Sequence, residues 1–384
     1  MLNLVADENM PAVERLFGDI ANVRRLPGRS ISPDDLAETD ILLVRSITSV
    51  NERLLAQAAK LKFIGTATIG MDHLDQTLLH DNGVHVCNAP GCNADAVVDY
   101  TLSGILNDCA QRSRDLMGLT VGVVGCGSVG GRLIARLSAL GVRFLSCDPL
   151  RANESDFVHS DIDELLQVSD IICLHTPLTR QGEYPSYHLL NETRLSSLKP
   201  EALLINAGRG AVIDNQALLN ISIKRQDLTL ILDVWEHEPK VNRDLANRCF
   251  LATPHIAGYS LDGKLRGSWM LYQQLCQYLG IECSKPLTDI LPPADVSRIC
   301  VSQKADPLRL MQLVYDQWAD DRRFRRSLDI DVEQQKLNFD RLRKTYPERR
   351  EFSSLQVDVN TPEQFHFLKG LGFSATKSKI QAGG

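Results

Sequence analysis

Leu119-Thr120-Val121-Gly122-Val123-Val124-Gly125-Cys126-Gly127-Ser128-Val129-Gly130-Gly131-Arg132-Leu133 is an apolar, β-branched run that breaks at a glycine cluster into a segment of helical periodicity. Leu119 to Val124 suits a strand buried on both faces, and Val129, Leu133, Ile134, Leu137 and Leu140 recur at helical spacing. Between them Gly125, Gly127 and Gly130 form a G-x-G-x-x-G pattern. The first glycine allows a tight turn, the second lets the backbone approach a pyrophosphate, and the third lets helix pack closely on strand. Ser128 and Val129 then open a helix whose first amides can receive an anion. A second strand, Val142 to Cys147, ends at Asp148, eighteen residues beyond Gly130, where an acidic side chain accepts from ribose hydroxyls. An acid there selects NAD over NADP, because a 2'-phosphate would meet like charge, although Arg151 could soften the discrimination. The competing reading is that Asp148 merely opens an Asp-Pro turn.

Working outward, residues 1–93 alternate short strands (Leu2-Val5, Ile41-Val44, Phe63-Gly65, Val84-Cys87) with helical stretches. A helix from about Ala94 to Cys109 leads into the nucleotide unit, whose later strands are Ile171-His175, Leu203-Asn206, Leu230-Val234 and Phe250-Ala252. A helix from about Gly263 to Leu279 returns to the first domain, and the texture changes again at Leu291-Pro292-Pro293-Ala294. A helical stretch Pro307 to Trp318, a charged segment Phe339 to Phe352 and a strand at Leu355-Val359 follow. The expected fold is α/β, with two doubly wound parallel-sheet (Rossmann-like) domains and a smaller α+β C-terminal domain. The expected bounds are 1–93 with 263–284 for a substrate-binding domain, 94–262 for the NAD-binding domain, and 285–384 for the last. Pairing of two subunits is the simplest role for that last domain, with binding of a regulatory ligand the alternative.

The 384 residues, 43% of them hydrophobic, suffice for two or three such cores. A net charge of −6 gives no basic field for nucleic acid, and Asp321-Arg322-Arg323-Phe324-Arg325-Arg326 reads as a solvated helix face. None of the ten cysteines forms a C-x-x-C pair, and Cys126, Cys147 and Cys173 fall in predicted core strands, so neither disulfides nor a metal site is expected. Met1 to Asn9 runs straight into a strand without the basic start of a signal peptide, and no stretch approaches membrane-spanning length, which leads us to expect a cytoplasmic protein.

Three polar residues downstream of the glycine turn carry the chemistry. Taking hydride from C2 of a 2-hydroxy acid requires a base for the hydroxyl proton, a cation for the carboxylate and a nicotinamide held against the carbon. His255 follows a predicted strand, where ligand sites of open α/β sheets form, and imidazole is the side chain suited to proton transfer near neutrality. Glu238 could hydrogen-bond that ring, fix its tautomer and stabilise the imidazolium. Arg209, flanked by Gly208 and Gly210, could take a carboxylate with two parallel hydrogen bonds. Neighbouring His237 lacks the strand-end setting and is expected to be exposed. Each residue alone has a bland reading as strand end, turn or loop brace; together, after a complete nucleotide unit, they read as a site.

Gly125 to Gly130 with Asp148, Asn206-Ala207-Gly208-Arg209-Gly210-Ala211-Val212-Ile213-Asp214, Asp233-Val234-Trp235-Glu236-His237-Glu238-Pro239 and Thr253-Pro254-His255-Ile256 resemble the D-isomer-specific 2-hydroxyacid dehydrogenases over about residues 1–283. The resemblance implies that Arg209 binds and polarises substrate, Glu238 supports the base and His255 transfers the proton. It also implies that Asp233 lies beside the nicotinamide carboxamide, that Thr176 and Ala207 lie along the cofactor, and that Gly208, Arg209 and Gly258 complete the cofactor set.

Further stretches narrow the resemblance to members acting on a phosphorylated sugar acid: Asp7-Glu8-Asn9-Met10-Pro11, Val44-Arg45-Ser46, Gly65-Thr66-Ala67-Thr68, Ala89-Pro90-Gly91-Cys92-Asn93-Ala94, His255-Ile256-Ala257-Gly258-Tyr259 and Glu348-Arg349-Arg350-Glu351-Phe352. They imply that Ser46 and Thr68 contact substrate, that Tyr259 closes over it, and that the last domain joins a homodimer. Such a substrate carries a phosphate opposite its carboxylate, so the site needs hydroxyls and a second cation. Arg45 is the candidate, with a strand-end salt bridge as its other reading and Lys264 and Arg266 as rivals. Two departures stand out: the connection 178–188 is longer than is usual, and Asn215 replaces a common acid at what reads as a surface helix start. The alternatives left open are a dehydrogenase for 3-phosphoglycerate or another small hydroxy acid, and an NADH-sensing binding protein.

Overall fold

The structure is a computed structural model that describes residues 1–301, 306–328 and 331–377. The chain forms two compact units, one made of Met1–Asn93 with Ser260–Pro293, the other of Ala94–Tyr259 with the described residues from Ala294 onward.

The first unit is built on strands β1 (Leu2–Asp7), β2 (Ala21–Leu26), β3 (Ile41–Val44), β4 (Phe63–Thr66) and β5 (His85–Asn88). They form one parallel sheet in the order β2-β1-β3-β4-β5. The central strand β3 is buried at every residue, as a parallel strand covered on both faces requires. The order reverses between β1 and β3, so the crevice beyond their C-terminal ends is the expected ligand position of this sheet. The returning helix Leu261–Leu279 buries Leu271, Tyr272 and Leu275 against Leu4, Phe17 and Phe63. Sequence reading passed over β2, whose Ala-Asn-Val-Arg-Arg-Leu carries two arginines on an edge strand in place of an apolar run.

The second unit holds β6 (Thr120–Val124), β7 (Arg143–Cys147), β8 (Ile171–Leu174), β9 (Leu203–Asn206), β10 (Thr229–Leu232) and β11 (Leu251–Ala252). All are parallel, in the order β11-β10-β9-β8-β6-β7, so the reversal falls between β6 and β8. Helices Ala94–Gln111 and Ser128–Leu140 pack together on one face, with Tyr100, Leu133 and Leu137 fully buried.

Residues from Ala294 onward add a separate three-stranded parallel sheet, with β13 (Gln356–Val359) between β12 (Arg298–Val301) and β14 (Ser374–Lys377). The division expected at residue 285 differs from this arrangement, because the segment shares the core of the nucleotide unit. Phe352, Val357 and Leu368 join the cluster of Leu133 and Leu137, while Phe324 and Phe339 join that of Trp235. Arg136 ties the same elements together, pairing with Asp99 at 2.5 Å and donating to the Leu371 carbonyl at 2.9 Å. The expected helix 307–318 is two helices, Pro307–Val314 and Gln317–Ser327, because Asp316 caps the second through the Ala319 amide. Nor is the arginine-rich stretch merely solvated: Phe324 is fully buried, and Arg325 donates to the carbonyls of Ala246 and Cys249. All ten cysteines are free, eight of them buried.

Phe324→Ala, which deletes a ring from the shared core, should destabilise the protein by about 3–5 kcal/mol. Urea unfolding followed by tryptophan fluorescence measures this. A loss under 1 kcal/mol would show that the C-terminal segment is not part of that core.

Candidate active site

The glycine turn lies at the sheet reversal. Gly125 has φ 84°, and a Cβ there would lie 2.7 Å from the Thr176 amide nitrogen at the end of β8, so only glycine fits. At Gly130 a Cβ would come within 2.0 Å of the Gly125 carbonyl oxygen, which is the close helix-strand approach anticipated from the pattern. Beside Gly127, by contrast, the space is open to 4 Å, and no side chain caps the helix that starts at Ser128. An anion can therefore reach its first amides. The Thr176 hydroxyl and both ring nitrogens of His175 are buried without protein hydrogen bonds. Burial lowers the His175 pKa to about 4, so the ring is neutral at physiological pH.

Asp148 accepts from the Cys126 amide with Oδ2 at 2.9 Å, which fixes it beside the turn. Arg151 is held by Glu154 at 2.6 Å and by the Cys126 carbonyl at 2.8 Å. A cavity of about 500 Å³ adjoins these groups, lined among others by Asp148, Pro149, Leu150, Thr176 and Tyr184. The long connection 178–188 supplies one of its walls through Thr179 and Glu183 to Ser186. These residues fit a dinucleotide: open backbone at the phosphates, an acid at the ribose, and unpaired buried polar atoms between.

His255, Glu238 and Arg209 stand beyond the C-terminal ends of β11, β10 and β9, three neighbouring strands. His255 Nδ1 and Glu238 Oε2 are 2.7 Å apart, and Glu238 Oε1 accepts from the Trp235 amide at 2.8 Å. Burial pushes the Glu238 carboxyl up, but the His255 ring and the Trp235 N–H together outweigh it, and its pKa is lowered. Glu238 is thus an ionised acceptor that orients the imidazole.

The loop bearing His255 is wrapped around Asp233. This buried carboxylate accepts from Thr253 Oγ1 at 2.7 Å and the Ile256 amide at 2.8 Å with Oδ1, and from the Ala257 amide at 2.9 Å with Oδ2. Burial raises its pKa, against the opposing pull of His255 and these donors. His255 itself has φ 59°, a strained conformation for a non-glycine residue, and donates its amide to the Asp233 carbonyl at 2.7 Å.

Arg209 forms no hydrogen bond with Glu238 or His255; its connection to them is through backbone. A Cβ on Gly210 would fall 2.0 Å from the Trp235 carbonyl, so the Arg209 loop lies directly on the segment leading to Glu238. Asn215, expected at a surface helix start, is buried and strengthens this contact. It donates to the Gly210 carbonyl at 3.3 Å and accepts from the Glu236 amide at 3.2 Å. Arg209 donates one Nη1 bond to its neighbour Gly208 at 3.0 Å and pairs with no carboxylate among the described residues.

Comparison with known proteins gives this geometry a context. Residues 96–257 match the model of the D-isomer specific 2-hydroxyacid dehydrogenase NAD-binding domain, and residues 290–372 match a domain described only as of unknown function. The chain is 48% identical over 364 residues to the erythronate-4-phosphate dehydrogenase of Pseudomonas syringae pv. tomato, covering 93% of this chain and 95% of the relative. It is 48% identical to the enzyme of the same name from Pseudomonas aeruginosa, over 93% and 95% of the two chains. The chain belongs to the D-isomer specific 2-hydroxyacid dehydrogenases. Among solved structures, D-lactate dehydrogenase from Aquifex aeolicus, complexed with NAD and lactic acid, is similar at 26% identity and a TM-score of 0.59, covering 72% of this chain and 96% of that one. The protein is accordingly an NAD-dependent oxidoreductase.

In the first unit of this dehydrogenase, Arg45 and Ser46 follow β3 at the sheet reversal and Thr68 follows β4. Arg45 is half-buried and pairs with no carboxylate among the described residues. Ser46 is exposed, whereas Thr68 donates to the Gly70 carbonyl at 2.9 Å and shares a 2.7 Å bond with Thr66. Of the rival cations, Arg266 donates to the Cys92 carbonyl at 2.5 Å. In the second unit, the Tyr259 ring stands edge-on to Tyr346 at 5.6 Å with Arg343 over it at 5.7 Å. His237 is exposed as expected.

Sequence reading missed His175, whose buried unpaired ring follows an otherwise apolar strand; the one available signal was its place directly before Thr176. It also missed Thr253, which donates to Asp233 and accepts from the Tyr100 hydroxyl at 2.8 Å, since no spacing rule announces such a contact. Asp148→Ala should weaken NAD binding and narrow the preference over NADP about tenfold or more, a change of 1.4 kcal/mol or above in relative affinity. Titration with NADH and NADPH measures it, and an unaltered ratio would remove Asp148 from the ribose site.

Proposed function

We propose that the protein oxidises 4-phospho-D-erythronate to 2-oxo-3-hydroxy-4-phosphobutanoate, a step on the route to vitamin B6. The observation that carries the chemistry is the 2.7 Å bond between Glu238 and His255 Nδ1, which leaves Nε2 to face a substrate hydroxyl. The substrate is carried by the relatives' shared name over nearly the whole chain.

In this reading the Arg209 guanidinium receives the substrate carboxylate with two parallel hydrogen bonds and polarises the adjoining carbon. His255 Nε2 takes the C2 hydroxyl proton while the C2 hydride departs, and the imidazolium so formed is stabilised by ionised Glu238. Bound NAD supplies the hydride acceptor. Gly125, Gly127, Ser128, Val129 and Gly130 would cradle its pyrophosphate and Asp148 its ribose, with Thr176, Ala207, Gly208, Asp233 and Gly258 toward the nicotinamide. Arg45 answers the substrate phosphate, with the Ser46 and Thr68 hydroxyls and Tyr259 completing the contacts. We further propose that the C-terminal segment pairs two subunits and that the enzyme works in the cytoplasm; no helix among the described residues is long and apolar enough to cross a membrane.

The test is the initial rate of NADH formation with NAD and, in turn, 4-phosphoerythronate, 3-phosphoglycerate, erythronate and lactate, with a ketone trap drawing the oxidation forward. Preference for 4-phosphoerythronate is expected. Preference for another acid would discard the substrate but keep the chemistry, and no turnover despite NADH binding would indicate a cofactor-sensing protein. In the same assay His255→Ala should lower kcat by about two to four orders of magnitude while NADH still binds, the effect expected for loss of a general acid-base group. Turnover within tenfold of wild type would remove His255 from that role.

A further inference from the structure

The strand that delivers His255 is the shortest of its sheet. β11 has only two residues and lies at the edge, so nothing in the sheet holds its outer side. The C-terminal segment takes that place. Asp321, buried on the helix Gln317–Ser327, accepts from the Ala252 amide at 2.8 Å, and its partner Arg325 donates to Ala246 and Cys249 just before the strand. Phe324 of the same helix packs its ring 5.6 Å from that of Trp235, whose amide holds Glu238.

Beyond His255 the segment makes a second hold. Arg349 is 4% exposed, and its Nη1 donates to the Ala257 carbonyl at 3.1 Å, with the Ile256 carbonyl at 3.5 Å. Its Nη2 donates to the Ala96 carbonyl at 2.6 Å, and the guanidinium lies over the Tyr315 ring, 3.6 Å from its centre. Ala257 is therefore fixed on both sides, its amide by Asp233 and its carbonyl by Arg349. Between the hold at Ala252 and the hold at Ala257 stands His255, in its strained left-handed conformation.

We propose that Arg349 is a positioning residue for proton transfer. From the segment whose family model, over residues 290–372, describes a domain of unknown function, it fixes the backbone that follows His255 and so the direction of the imidazole. A planar guanidinium suits the task, because one fork bridges two carbonyls that lie far apart in the chain, Ala96 and Ala257, which a single ammonium cannot do in the same geometry. The inference rests on His255 being the acid-base group.

The experiment is steady-state kinetics of Arg349→Ala and Arg349→Lys beside His255→Ala, with NADH affinity and thermal midpoint measured for each. Small displacements of a catalytic group cost up to about a hundredfold in rate, so Arg349→Ala is expected to lower kcat by about ten- to a hundredfold with both KM values and NADH affinity within about twofold. Arg349→Lys, which keeps the charge and one donor, is expected to fall between. A lowered thermal midpoint with kcat within twofold of wild type would show a purely structural role and overturn the proposal. A raised KM for the acid at unchanged kcat would overturn it in favour of substrate binding. Should the alanine variant not fold, the lysine variant decides alone: kcat at least threefold down at unchanged KM supports positioning, and wild-type kcat overturns it. If His255→Ala itself turns over normally, the assignment of His255 fails first, independently of any Arg349 result.

Discussion

A carboxylate taken out of water at the end of β10 has to be satisfied by its own chain, and the manner in which Asp233 is satisfied decides where His255 stands. An unpaired charge in that position would cost several kcal/mol, far more than one strained residue. Three donors, on Thr253, Ile256 and Ala257, converge on Asp233, and the chain can present them only by curling around it. The positive φ of His255 follows from that curl. Strain of about 1–3 kcal/mol is thus borne by hydrogen bonds whose loss would be more costly.

Glycine performs a related task in three places, each time by bringing backbone against backbone. Gly125 sets the end of β6 against that of β8, Gly130 sets the helix Ser128–Leu140 against its turn, and Gly210 sets the Arg209 loop against Trp235. The first two shape the turn between β6 and the helix Ser128–Leu140. The third joins the Arg209 loop to the Glu238 segment without any side-chain bond between them. It explains how three residues separated by 29 and 17 positions in the sequence hold a common register although only two of them touch.

Parallel strands buried on both faces are visible in sequence as unbroken apolar runs, and β3, β6, β8 and β9 could be read from them almost to the residue. β2 could not, because an edge strand tolerates Arg24 and Arg25, and its pattern is that of a polar loop. The proposed site residues could be picked out for a similar reason: a glycine fingerprint and strand-end polar residues are local signals. What was illegible is the hydrogen bonding that supports them, even where the residue itself had been singled out, as Asp233 and Asn215 were. Asp233, Asn215 and Asp321 act through partners 24, 21 and 69 positions away, on backbone amides or carbonyls that carry no residue identity at all. The packing of the C-terminal segment was illegible on the same ground, since proline-rich texture reports a change in chain composition but not whether Phe324 and Phe352 enter an existing core.

An edge strand of two residues also bears on why the dehydrogenase core carries an added segment. Such a strand leaves its outer amides open, a liability for pairing with other chains and a poor anchor for the loop that bears His255. The helix Gln317–Ser327 removes both difficulties at once by presenting Asp321 to the open amide and Arg325 to the carbonyls beside it. Because backbone strain persists only where the surroundings overdetermine it, the conformation of His255 requires holds from more than one direction. Asp233 provides one from within the sheet, and Arg349 provides the other from outside it. Stability of the C-terminal segment and geometry of His255 are on this account coupled through the backbone of six residues, from Ala252 to Ala257.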